Sequence, residues 1–150
     1  MTSIALVREK DLDELLRLMR GYCDFYGMTP SDEGLLAMSR ALIADPRREG
    51  LQLMARGADG GAVGFATVFW TWSTLRAARA GVMNDLYVSP QGRGSGIADR
   101  LIEACVEHCR QRGDVVSLGW QTAKDNRRAQ AVYERVGAER SEWVDYSLSI

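Results

Sequence analysis

Histidine and cysteine are scarce in this chain, and neither sign of charge is in excess. There is one histidine, His108, so a histidine-rich metal site is excluded and no metal is expected. Cys23, Cys105 and Cys109 are an odd set, which argues against a disulfide framework and suits a reducing, cytoplasmic compartment. Basic and acidic residues number 19 and 20, for a net charge of −1. Without a basic stripe, duplex nucleic acid is not an expected partner. No apolar run has membrane-spanning length, and Met1-Thr2-Ser3-Ile4 opens no signal-peptide apolar segment. No membrane partner is expected. Linkers, low-complexity tracts and internal repeats are missing as well, so residues 1–150 read as a single domain long enough to bury a core.

Glycine, by contrast, is concentrated where it matters. Asp85-Leu86-Tyr87-Val88-Ser89-Pro90-Gln91-Gly92-Arg93-Gly94-Ser95-Gly96-Ile97-Ala98 reads as a strand, a glycine turn and the opening of an amphipathic helix. A helix N-terminus presents unsatisfied backbone N–H groups, a ready site for phosphate oxygens. Ile97 stands where a dinucleotide G-x-G-x-x-G fingerprint needs its third glycine, and G-x-x-x-x-G-K-[ST] is nowhere in the chain. Gly94 and Gly96 fit instead a turn on which a pyrophosphate rests directly against backbone, with Arg93 as a neighbouring cation. On the glycines alone, a tight strand-to-helix connection without a ligand is an equal reading.

A second block decides between them. Gln91-Gly92-Arg93-Gly94-Ser95-Gly96 matches the Q/R-x-x-G-x-G/A signature of the GCN5-related N-acetyltransferase superfamily. Asn126 to Ala138 resembles that family's N-x-x-A-x-x-x-Y-x-x-x-G-[FA] helix through Asn126, Ala129, Tyr133, Gly137 and Ala138. The two blocks come in family order, and together they cover residues 82–138. The resemblance implies an α/β fold with a mixed central sheet flanked by helices, and splayed strands at an acyl-CoA site. It also implies acetyl-CoA as cofactor, a homodimer, and transfer of acetyl to a primary amine. A non-catalytic acyl-CoA-binding module and a protein-amine acetyltransferase are the alternatives; the intact Tyr133 favours an enzyme.

The chain alternates strand and helix accordingly. Ile4 to Arg8 reads as a strand, and Asp11 as the cap of a helix to about Tyr26, with Leu12, Leu15, Leu16, Met19 and Cys23 on its buried face. Ser31 caps a helix to about Ala44. Leu51 to Arg56 and Ala62 to Trp72 form a hairpin around Asp59-Gly60-Gly61. Then come a strand from Val82 to Val88, a helix from Gly94 to about Arg112, a strand from Val115 to Gln121, a helix from Asn126 to Val136 and a strand region from Ser141 to Ile150. Along that strand Val82, Asn84, Leu86 and Val88 face one way, and Met83, Asp85 and Tyr87 the other.

The site expectations follow. By the resemblance, Leu86, Tyr87 and Val88 lie along the pantetheine arm, and Gln91, Gly92, Arg93, Gly94, Ser95 and Gly96 hold the diphosphate. Asn126, Ala129 and Tyr133 complete the cofactor contacts. Asn126 and Tyr133, seven apart, share a helix face. A phenol with an ordinary pKa of about 10 stays protonated at neutral pH and suits protonation of a departing thiolate. Asp85 is the nearest acidic candidate for a base; polyamine-acetylating relatives often have two acidic residues here, and Asn84 stands in place of the first. Recognition of a cationic substrate and pairing with an arginine remain open for Asp85. Tyr22, Phe25 and Tyr26 would roof the acceptor pocket. Trp72, Trp120, Trp143 and Tyr146 would add an aromatic wall, and Asp24, Glu33, Asp85 and Glu142 would attract a cation. A small primary amine is the favoured acceptor. Trp143 and Tyr146 suit a dimer contact as well as a core.

Overall fold

Apolar residues spaced three and four apart set the first layer. In a computed structural model describing Met1–Ile150, helix α1 (Leu12–Phe25) buries Leu12, Leu15, Leu18 and Met19. The buried stripe runs through Leu18; Leu16 and Cys23 are only half-buried. Ser31 caps α2 (Asp32–Ala44) by accepting from the Gly34 N–H at 3.0 Å.

Five strands form one sheet in the order β1-β2-β3-β4-β5: Ser3–Leu6, Gly50–Arg56, Ala62–Ser73, Ala78–Val88 and Val115–Gly119. The first four are antiparallel neighbours, while β5 runs parallel to β4 and makes the sheet mixed. Helix α3 (Ile97–Arg112) carries the chain between those parallel strands. It packs Ile97, Leu101, Ile102, Cys105 and Cys109 on one face of the sheet, against Leu53, Val68 and Met83. On the other face α1 joins Val7, Met54 and Phe65. Burial pushes the Cys105 thiol up to about 12, which leaves it an inert apolar side chain.

Two irregularities position the site. Thr67 pairs with Asp85 and Val68 with Met83, so Asn84 has no partner on β3. This β-bulge breaks the strict alternation expected for the strand. Met83 joins the α3 layer, while Asp85 and Tyr87 turn toward α1. The second irregularity is a divergence. Pairing of β4 with β5 ends at Val82 and Gly119, so Asn84 to Val88 have no strand partner on the side away from β3. That is the splay.

Two boundaries are corrected. The helix expected from Gly94 begins at Ile97, because Gly94 and Gly96 adopt left-handed φ of 80° and 74°. The strand expected over Ser141–Ile150 does not form. A strand needs a facing edge, and this segment stays off the free edge of β5, exposing Trp143, Val144, Tyr146, Leu148 and Ile150. Helix α4 (Arg127–Arg135) closes the regular structure.

Candidate active site

The glycine turn is built for close approach. Pro90–Gly92 makes a single helical turn, and Gly92 is buried; a Cβ there would stand 3.1 Å from both Val63 and Val88. At Gly94 and Gly96 a Cβ would meet nothing within 4 Å, so the space above the backbone is open while the left-handed φ favours glycine. Ser95 Oγ donates to the Gly92 carbonyl at 2.6 Å and tightens the loop. The N–H groups of Gly94, Ser95, Gly96, Ile97 and Ala98 have no acceptor in the protein. Five unpaired amides at the start of a 16-residue helix form a strong anion cradle. Arg93 folds beside it, donating from Nε to the Val88 carbonyl at 3.2 Å.

The divergence of β4 and β5 opens into a cavity of about 670 Å³. Val82, Met83 and Asn84 line it from β4, Gly119 to Ala123 from the end of β5, and Tyr22 and Tyr26 from the end of α1. Tyr22 and Tyr26 meet edge to face at 5.2 Å. Trp120 meets Tyr133 in the same manner at 5.3 Å. Burial raises the Tyr133 phenol above its ordinary value, and Tyr26 adds to the shift, while the adjacent Thr122 side chain opposes it. Tyr133 therefore stands against two residues of the cavity wall, Trp120 and Thr122.

Asp85 sits behind this wall, 7% exposed. Burial raises its carboxyl, and the Thr67, Tyr22 and Asn84 side chains oppose the rise by donating hydrogen bonds. Asn84 Nδ2 donates to Asp85 Oδ1 at 3.0 Å. The Tyr22 hydroxyl, itself raised by burial and by the Asp85 charge, also stands 3.4 Å from the Asn84 carbonyl, an alternative acceptor for its one proton. Asn126 caps α4: its Oδ1 accepts from the Ala129 N–H at 3.1 Å, leaving the Asn126 amide N–H pair free.

Several residues singled out in sequence lie elsewhere. Trp72 stacks under Arg79 at 4.3 Å, in a separate concavity with Arg47, Arg48 and Arg112. Trp143 and Tyr146 are exposed, and neither Phe25, Asp24, Glu33 nor Glu142 lines the cavity. Thr67 and Gln52 went unnoticed in sequence. Their signal was a polar residue inside an apolar strand, twice, at positions that pair across β2 and β3.

The Acetyltransferase (GNAT) family profile matches residues 14–138, which contain both the glycine turn and α4. The chain belongs to the GNAT acetyltransferase family. An uncharacterized N-acetyltransferase of Bacillus subtilis (strain 168), YhfO, is 29% identical over 149 residues, covering 99% of this chain and 97% of the relative. The crystal structure of a ribosomal-protein-alanine N-acetyltransferase from Brucella melitensis biovar Abortus 2308 superposes with a TM-score of 0.81 at 25% identity, covering 100% of this chain and 99% of the other. The aminoglycoside-modifying AAC(6')-Iy, solved with a bisubstrate analogue of coenzyme A, shares the fold with a TM-score of 0.84 at 21% identity, covering 100% of this chain and 99% of that one. As a GNAT protein the chain is an acetyl-CoA-dependent N-acetyltransferase. One fold thus serves chemically distant acceptors, and the acceptor must be sought in the cavity.

Proposed function

We propose that the protein acetylates the primary amine of a small molecule, within a class that spans simple amines, polyamines and amino-acid-like acceptors. The observation that carries this reading is the place of Tyr133, beside Trp120 and Thr122 where the two strands part. The diphosphate rests on the free amides from Gly94 to Ala98, with Gln91, Gly92, Arg93 and Ser95 shaping the loop. The pantetheine arm runs along the unpaired edge at Leu86, Tyr87 and Val88 toward Asn126, Ala129 and Tyr133.

Acetyl-CoA supplies a thioester carbonyl as electrophile. The amine nitrogen forms the C–N bond as the C–S bond breaks. Asp85 takes the proton the amine gives up, through Tyr22, and the Tyr133 hydroxyl gives a proton to the departing thiolate. Raised phenol pKa values keep Tyr133 in its donor form at neutral pH. Backbone N–H groups along the unpaired edge of β4 polarise the carbonyl oxygen.

The free edge of β5 and the exposed apolar residues from Trp143 to Ile150 support a homodimer in which that segment meets a second copy. Free, largely buried cysteines support a cytoplasmic location. An amine-panel assay with acetyl-CoA, reading free thiol release, tests the function. Turnover that depends on a primary amine is expected; coenzyme A release that ignores every amine would reject it.

A further inference from the structure

The wall of the acceptor cavity carries no charged side chain. Its aromatic surface comes from Tyr22, Tyr26 and Trp120, and its side-chain polarity from phenol hydroxyls, the indole N–H, the neutral amides of Asn84 and Gln121 and the hydroxyl of Thr122. The nearest carboxylates are placed apart from it. Asp85 is recessed behind Tyr22 and Asn84. Asp145 is not among the lining residues, and its carboxylate accepts from the Gln121 side-chain N–H.

From this lining we infer that the acceptor is a primary monoamine with a flat, uncharged body, an arylalkylamine in chemical class, and that polycationic amines are disfavoured. The inference rests on reading this cavity as the acceptor site. A single ammonium entering it meets the Asn84 carbonyl and the Tyr22 hydroxyl, with the Asp85 carboxyl one residue deeper. Once its proton has gone to that carboxyl, the acceptor is neutral, and a neutral wall suits it. The body of the molecule finds ring faces and edges, which prefer another aromatic in an offset or edge-on arrangement. A second ammonium would lose water among rings and amides, with Asp85 already engaged by Asn84 and Asp145 by Gln121, and a charge out of water without a counter-ion of its own is costly. Ring faces attract an ammonium to some degree, but they do so for the first nitrogen of either class and do not separate the two.

The test measures kcat/KM with acetyl-CoA for phenethylamine, tyramine, putrescine, spermidine and kanamycin. Phenethylamine is expected to exceed spermidine by about 100-fold, with the difference in KM, since unpaired charge in the pocket weakens binding of the ground state and transition state alike. Equal or better use of spermidine or kanamycin would overturn the inference. Calorimetry of phenethylamine and spermidine on the protein with coenzyme A separates this inference from the function it rests on. Tighter binding of phenethylamine without any turnover would defeat the transfer reaction and leave the pocket assignment standing. Equal binding would defeat the pocket assignment. The exposed Ala123, on the cavity wall, offers a reciprocal variant. Ala123→Asp is expected to lower the phenethylamine-to-spermidine ratio about tenfold by supplying the missing counter-ion. A ratio that does not move would overturn the assignment.

Discussion

Gln52 donates its side-chain N–H to the Thr67 hydroxyl across 3.0 Å, in the buried layer beneath α1. Gln52 is 3% exposed and Thr67 fully buried. The bond fixes a direction: with an N–H filling the Thr67 oxygen, the Thr67 proton is left for the Asp85 carboxyl opposite it. Thr67 thereby stabilises the ionised form of a carboxylate that burial disfavours. Gln52 Oε1 has no hydrogen-bond partner, since the amide turns its N–H and not its oxygen to Thr67.

Thr67→Val keeps the shape and removes the donor. The Asp85 carboxyl should rise further, and on the proposed mechanism, where its ionised form is the base, the acidic limb of kcat/KM should move up by roughly one pH unit. A pH–rate profile of the variant reads the shift directly. A limb that stays in place would detach Thr67 from the base.

Asp85→Asn removes the acceptor itself. Turnover at neutral pH should fall about 100-fold, the usual contribution of a positioned base. The acidic limb, which lies above the ordinary carboxylate range because burial raises Asp85, should vanish from the residual activity. Chemical acetylation of the same amine at high pH provides the baseline.

Tyr133→Phe tests the other end of the proton path. We expect kcat to drop about 10- to 100-fold while the acetyl-CoA dissociation constant, measured by calorimetry, stays within a factor of about three. Because burial raises the phenol above 10, the wild-type alkaline limb should lie above that value and disappear in the variant. Full activity in Tyr133→Phe would reassign the donor.

Gly94→Glu sets a carboxylate over the anion cradle, in open space and at a φ of 80°. The left-handed backbone costs about 1–2 kcal/mol in a side-chain-bearing residue, too little to unfold the domain. Coenzyme A affinity should fall by about 100-fold or more through like-charge repulsion. Retained affinity in a folded variant would move the diphosphate elsewhere.

Arg56 donates to Asp11 at 3.1 Å and to Glu14 at 3.0 Å, joining β2 to the start of α1. Burial pushes Asp11 up, yet the Arg8 N–H and Arg56 bring it below the ordinary range; Glu14 is lowered chiefly by its hydrogen bond from Arg56. Lowered carboxyls stabilise the fold above the unfolded value near pH 4 and lose that contribution as pH falls through the folded values. Arg56→Met should therefore cost roughly 1–2 kcal/mol at pH 7, a fall in Tm of about 2–8 °C, and almost nothing near pH 2. Thermal melts at the two pH values make the comparison.

The sequence showed the order of elements because helix and strand periods are local. It also placed the glycine turn and the cap of α4 at Asn126, since both are set by spacing within one stretch. It misplaced Met83 relative to Asp85 because a bulge is decided by register against β3, which no single strand reveals. Trp72 was assigned to the cavity on residue type alone, whereas the β3–β4 hairpin carries it to Arg79 at the far end of the sheet. The strand read into Ser141–Ile150 had the right alternation but no neighbour in its own chain. Alternation says which side chains belong together and leaves open what they meet.

Asn84, which faces nothing on β3, acts as a phase shift in β4. Upstream of it the odd-numbered Met83 belongs with α3; downstream the odd-numbered Asp85 and Tyr87 belong with α1. Pairing the same sequence without the bulge would set Asp85 opposite Ala66 and drive a carboxylate into the oily layer beneath α3, whereas deleting Asn84 would leave Met83 opposite Val68 and Asp85 opposite Thr67. A related chain one residue shorter at this point would keep its acid on the α1 side and lose only the amide that donates to it.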